Sequence, residues 1–192
     1  MNGGPGGPDT GGATEGPDAS GPPDEELMSR AARGDDDAFC ALVLRHERPL
    51  ANFFARNGVD TDVEDLVQRT FLKLHGARGQ YRPTAKFTTF LYLVARRTMI
   101  DAARAARRRE DLLARAALET ETAEDAPRNR GEGQDALAAL AALPPAFRET
   151  VVLVVMQGLA YAEAAEVLGV PLGTVKSRIH EALSRMRKEL SK

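Results

Sequence analysis

The sequence predicts an all-α protein, built as two small helical domains joined by a flexible acidic linker. Apolar residues recur at spacings of three and four through most of the chain, and no stretch alternates convincingly with the period of a strand. Composition agrees, with 43% apolar residues, only 5% aromatics and no Trp, which suits small cores of Ala, Leu and Val. Charge is sorted along the chain. Residues 1–26 carry six acids and no Lys or Arg, and residues 110–135 carry eight acids against three Arg. The two stretches 27–109 and 136–192 are left with net charges of +7 and +2. A formal net charge of −2 is therefore no argument against a nucleic-acid partner.

Residues 1–23 hold eight Gly and five Pro and almost nothing to bury, so they read as a flexible tail. The first domain is expected over 24–109. Asp24, Glu25 and Glu26 favour a helix start, and Gly34 ends that helix. A second helix from about Asp36 aligns Phe39, Leu42, Val43, His46, Leu50, Phe53 and Phe54 on one stripe and stops at Asn57-Gly58. Thr61 or Asp62 can cap a third, with Val63, Leu66, Val67, Thr70, Phe71 and Leu74 inward and a stop at Gly76. GARGQYRPTAK reads as a loop. A fourth helix then runs from Phe87 to about Arg109, apolar and aromatic in its first half and arginine-rich in its second.

Residues 110–134 read as the acidic linker, although Asp111 to Leu118 could prolong the fourth helix. The second domain is expected over 135–192, with a break at Pro144-Pro145. Its end, YAEAAEVLGVPLGTVKSRIHEAL, reads as a helix-turn-helix. Ala165 gives a small crossing contact, Gly169 a left-handed stop to the first helix, and Pro171 suits the start of the second. Val175, Ile179, Leu183, Met186 and Leu190 form the expected buried stripe. Thr174, Lys176, Ser177, Arg178, His180 and Arg185 remain as hydroxyl and basic groups of the kind that dock in a major groove. Two packed helices with a solvated basic face would give the same pattern without DNA.

Catalytic chemistry is not displayed. His46, His75 and His180 are scattered, and none has metal-ligand spacing with another His or Cys. No phosphate loop, nucleophile elbow or zinc-protease pair is present, and acid pairs such as Glu64/Asp65 lie where a helix dipole explains them. The expectation is no enzyme, no cofactor and no metal. The one cysteine, Cys40, is expected to be a small buried hydrophobe. Without a signal-peptide pattern or an apolar run of spanning length, the chain reads as cytoplasmic.

The run DVEDLVQRTFLKLH, then YRPTAKFTTFLYLVARRTMIDAARAARRR, an acidic gap, and LPPAFRETVVLVVMQGLAYAEAAEVLGVPLGTVKSRIHEALSRMRKEL resembles the extracytoplasmic-function (ECF) group of bacterial sigma factors. The resemblance extends from about Asp24 to Leu190, with both domains in the expected order. It implies a promoter-specificity subunit of core RNA polymerase. Glu64, Asp65, Leu66, Gln68 and Phe71 would meet the β′ clamp coiled coil, with Leu66 and Phe71 also serving the core. Tyr81, Arg82 and Lys86 would enclose an unstacked base of the −10 element, and Arg96, Arg97 and Arg104 would hold the melted backbone. Phe87, Phe90 and Tyr92 sit at core spacing.

Gly173, Thr174, Lys176, Ser177, Arg178 and Arg185 would read the −35 element. The helix Phe147 to Met156, mostly core, is used by relatives to hold the β flap. The acidic connector would run near the path of nascent RNA, where a negative chain can mimic it. An anti-sigma factor is the expected further partner. Phe90 stands where many relatives have Trp, and Arg97 where they have Asn. The competing reading is an autonomous DNA-binding regulator, which would bind a palindromic site without polymerase; the aromatic-then-arginine helix argues against it.

Overall fold

The computed structural model describes residues 21–59, 62–82, 86–116 and 132–191. Among these residues there are eight α-helices and no strand. They are α1 (Asp24–Ala32), α2 (Asp36–Arg56), α3 (Val63–Ala77), α4 (Phe87–Ala116), α5 (Glu132–Ala141), α6 (Pro145–Val151), α7 (Tyr161–Leu168) and α8 (Leu172–Leu190). The tail expected over 1–23 lies outside the described residues up to position 20, as does the linker over 117–131. The arginine-rich helix runs on to Ala116, past the expected stop at Arg109 and into the stretch read as linker. The next helix begins at Glu132, three positions before the expected Asp135.

Local chemistry accounts for some helix ends and distant partners for others. Asp35 caps α2 by accepting from the Ala38 N–H at 3.0 Å. Asp62 sits at the N-cap of α3 as expected, but in a left-handed conformation (φ 59°) and without a side-chain cap bond. Thr61 lies outside the described residues. Gly76 does not stop α3, which reaches Ala77 and tightens into a 3-10 turn over Arg78–Gln80. Arg78 secures that end by donating to the His75 carbonyl at 2.9 Å. A distant acid starts α4, since Glu25 Oε1 accepts the Phe87 N–H at 2.9 Å. That cap comes from a helix more than sixty residues upstream, beyond the reach of local sequence patterns.

The first core joins α1 to α4 through Met28, Leu42, Leu50, Phe53, Phe54, Leu74, Phe87 and Leu91, all fully buried. His46 is buried beside them, its ring 5.2 Å from that of Phe87 and its Nε2 2.7 Å from Asp24 Oδ2. Arg45 closes on the other Asp24 oxygen. Burial pushes the Asp24 carboxyl up, but the hydrogen bonds and charges of His46 and Arg45 outweigh it and hold it below its ordinary 3.8. Cys40, expected inside, is exposed. It lies one position past Phe39, off the buried stripe, because the helix turns about 100° per residue.

The second core packs α5 to α8 around Val151, Val152, Leu153, Leu159, Ala164, Val167 and Val175. After α6 the chain widens into a π-helical turn over Val152–Met156, so the expected helix to Met156 changes pitch midway. On α8 the buried residues are Val175, Ile179 and Ala182. Leu183 and Leu190, expected on that stripe, are 37% and 52% exposed. Spacings of four, three and four from Val175 lead to Ala182 and then to half-buried Met186, which leaves Leu183 rotated away.

The two cores are continuous. Helix α4 packs against α7, and the buried side chains of both domains form one cluster.

Candidate nucleic-acid interface

Three local devices set the helix-turn-helix. Glu163 Oε2 accepts the Ala160 N–H at 2.7 Å and fixes the start of α7. At its end, Gly169 takes a left-handed conformation (φ 66°), with its own N–H on Glu166 and the Val170 N–H on Ala165. That double bond pattern is a Schellman stop. Pro171 occupies the N-cap of α8, one position before the helix. Ala165 is half-buried at the crossing beside fully buried Ala164.

With Val175 turned inward, the first turns of α8 present Gly173, Lys176 and Ser177 to solvent, with Thr174 and Arg178 half-buried at the edge. Space around Gly173 is open, leaving its backbone approachable. Arg185, two turns further, hydrogen-bonds Glu181 at 2.8 Å and lies 4.9 Å over the Phe147 ring. The structure thus gathers five residues of the expected −35 set at one helix end and holds Arg185 apart, on internal partners.

The expected −10 residues are split more sharply. Tyr81 is half-buried, its ring 5.7 Å from Phe90 and 6.5 Å from Phe87. Burial, then the nearby Glu25 and Asp24, raise its hydroxyl above the ordinary tyrosine value. Arg82, Arg97 and Arg104 are exposed. Residues 83–85 of the same loop lie outside the described residues. Lys86 pairs with Glu163 at 3.0 Å, and Arg96 Nε donates to Glu149 Oε1 at 2.8 Å. Both carboxylates belong to the C-terminal domain. Glu149 is well buried; burial raises its carboxyl, the Arg96 charge and hydrogen bond pull it back, and Arg178 contributes from further away, for a net upward displacement. Tyr92 is buried at the same junction, where its hydroxyl donates to Gln157 at 2.5 Å.

On α3, Glu64 and Gln68 are exposed and Asp65 is half-buried, paired with Arg69. Together with Asp62 and Val63 they line a shallow depression. Leu66 and Phe71 are 3% and 7% exposed, so both belong to the core and offer no side-chain surface to a partner. The sequence reading missed Leu72, which is 71% exposed one turn beyond Gln68. A large apolar residue off the buried stripe was the available signal. It also missed Glu149 and Glu163, although a carboxylate inside FRETVVLVVM is a visible anomaly. No group of three metal-ligating side chains occurs among the described residues, and none of their helices is long and apolar enough to cross a membrane.

Comparison with known proteins places this geometry. Residues 42–109 match the family model for Sigma-70 region 2, and residues 133–186 match that for Sigma-70, region 4. The ECF RNA polymerase sigma-E factors of Salmonella typhimurium and Escherichia coli K12 are each 31% identical over 171 residues, covering 83% of this chain and 90% of theirs. The chain is an ECF sigma factor.

Among solved structures, CnrH in complex with the cytosolic domain of CnrY is 30% identical with a TM-score of 0.65, covering 88% of this chain and 97% of that one. The sigma factor RpoE in complex with the anti-sigma factor NepR from Bartonella quintana has the same TM-score at 26% identity, covering 80% and 96%. The two-domain helical architecture expected from the sequence is therefore the architecture of the family. As a sigma factor the chain serves RNA polymerase in promoter-specific initiation. Its region 2 match ends at Arg109, the last of the arginine run on α4, and its region 4 match contains the whole helix-turn-helix.

Proposed function

We infer that this sigma factor reads its promoter in two parts, with named residues in each. The observation that carries the reading is the solvent-facing end of α8, where Gly173, Thr174, Lys176, Ser177 and Arg178 converge over a buried Val175. This end enters the major groove of the −35 duplex. Lys176 and the Gly173 backbone meet phosphate, while Thr174, Ser177 and Arg178 reach base edges. Arg185, leaning on Phe147, serves as a backbone contact at the margin. In the N-terminal domain, Arg96, Arg97 and Arg104 follow the backbone of the melted −10 strand, and Tyr81, Arg82 and Lys86 border a pocket for one unstacked base.

Glu64, Asp65 and Gln68 form the contact with the β′ clamp coiled coil, with Leu72 adding apolar area; Phe147 to Met156 supports the β flap. The domain limits 24–109 and 135–192, with an acidic connector between them, follow the same reading. The protein acts by binding rather than by bond chemistry, in the cytoplasm with its polymerase. An anti-sigma factor is its further partner, in keeping with the NepR complex of the RpoE relative.

Reconstituted transcription with core polymerase on a promoter library tests the assignments. Substitution at Thr174, Ser177 or Arg178 is expected to change the selected −35 bases, and substitution at Lys176 to weaken all promoters alike with a shallower salt dependence. Unchanged base selection in all three of the first group would sink the α8 assignment.

A further inference from the structure

Gly173, Ser177 and Glu181 follow one another at spacings of four along α8, all exposed and opposite the buried Val175, Ile179 and Ala182. Lys176 and Arg178 flank that line on its two edges. A helix in a major groove turns its edges to the phosphate strands and its midline to the bases. On this midline Gly173 has no side chain, and the Ser177 hydroxyl donates back to the Thr174 carbonyl at 3.0 Å. Glu181 is the longest polar group among the three. From Gly173 to Glu181 the helix axis advances about 12 Å, or about three to four base-pair steps.

The carboxylate is held in place. Arg185 Nε donates to Glu181 Oε1 at 2.8 Å, and its guanidinium carbon lies 4.9 Å over the Phe147 ring on α6. The hydrogen bond and charge of Arg185 hold the Glu181 carboxyl below its ordinary 4.5, with Lys188 and His180 adding to them. The group is therefore ionised at neutral pH. A lone carboxylate on this face would be repelled by DNA phosphates, and the paired Arg185 charge offsets that repulsion.

We propose that Glu181 selects a cytosine in the −35 element, its Oε2 accepting from the cytosine N4 amino group while Arg185 holds the carboxylate in position. The inference rests on the −35 role given above to α8. An ionised carboxylate can only accept. At the major-groove edge guanine offers two acceptors, N7 and O6, and thymine offers one, O4, so both repel it. Adenine sets its N6 amino group beside the acceptor N7, whereas cytosine offers N4 with no acceptor of its own alongside. Cytosine is the base that fits. Arg185 is a positioning residue in this arrangement; its bond to Oε1 leaves Oε2 to the base and its own Nη groups to phosphate.

Holoenzyme reconstituted from core polymerase and the full-length chain provides the test. It initiates on a promoter library randomised across the −35 element, and the selected bases are read by sequencing. The parent is expected to favour cytosine at one position by about tenfold. Glu181→Gln is expected to move the preference at that position to adenine, because an amide matches the N6 donor and the N7 acceptor together. Glu181→Ala erases the preference there and leaves the other positions as they were. Arg185→Ala weakens the same preference, and Arg185→Lys, which can restore the pair, retains more of it.

An ordinary surface ion pair behaves otherwise. Glu181 variants that change all promoters alike, or that leave the selected bases unchanged, overturn the cytosine assignment. Thr174→Ala, Ser177→Ala and Arg178→Ala in the same assay separate that failure from a failure of the α8 reading. Altered base selection in any of these three, with none in the Glu181 variants, refutes Glu181 alone. Unaltered selection in every variant refutes the −35 role of α8 itself. An Arg185→Ala variant that weakens all promoters evenly, with the cytosine preference intact, refutes the positioning role.

Discussion

The two helices proposed to read DNA, α4 and α8, are similarly basic but are held differently. Helix α8 presents the polar side of its first turns to solvent, and its buried side to its own domain. Helix α4 packs on its own core through Phe87, Leu91 and Ala95, yet also faces the other domain through Tyr92 and Arg96. The polar end of α8, proposed to read the −35 element, is thus complete within one domain. The face of α4 proposed to read the −10 element is covered by the other domain along its upstream part and open along its arginine-rich end. A basic helix is not in itself an available surface, since availability depends on which acids the fold sets against it.

The largest effect expected from breaking this arrangement is at Phe53, fully buried with its ring 5.2 Å from Tyr92. Phe53→Ala is expected to cost about 3–5 kcal/mol in chemical denaturation, because a cavity opens in the core beneath the junction. A loss under 1 kcal/mol would mean that the packing between α2 and α4 is looser than described. Arg178→Ala tests the open helix, with about 1–3 kcal/mol of −35 discrimination lost if it reads a base. Competition between wild-type and altered −35 duplexes measures it; equal loss on both would make Arg178 a phosphate contact.

Asp24→Asn comes next and carries a pH signature. The Asp24 carboxyl is held below its ordinary 3.8, so its contribution is fully present above that value and is lost as pH falls through the lower folded-state value. Unfolding free energies of parent and variant are therefore expected to differ at neutral pH by about 1–2 kcal/mol and to converge as pH falls below the ordinary 3.8. A constant gap across that range contradicts the ion-pair account. The smallest effect belongs to Tyr92→Phe, which removes one hydroxyl bond to Gln157 for about 0.5–1.5 kcal/mol. A loss confined to the distance distribution between domains, with each domain's unfolding unchanged, would show that this bond serves closure alone.

Much of this was legible before the structure. The stripes of α2 and α3 placed Leu42, Phe53, Leu66 and Leu74 inside because helical period and burial share one geometry. Gly169 was readable as a left-handed stop because only glycine takes that conformation without strain. Errors arose where the period drifts or where distant partners intervene. Ala182 displaced Leu183 from the buried face, since a small residue in phase buries more readily than a large one out of phase. Cys40 was misplaced by one position on the helix wheel.

The sequence by itself determined the helices, the glycine turn of the helix-turn-helix, the sorted charge and the family, all of which depend on neighbours within a few residues or on long matched patterns. Tertiary structure alone decided that Glu25 starts α4, that Gln157 reaches both Tyr92 and Pro49, and that Glu149 and Glu163 neutralise Arg96 and Lys86. Those partners lie far apart in the chain. Carboxylates and guanidinium groups carry no address in sequence, and only packing of the two cores brings them within bonding distance.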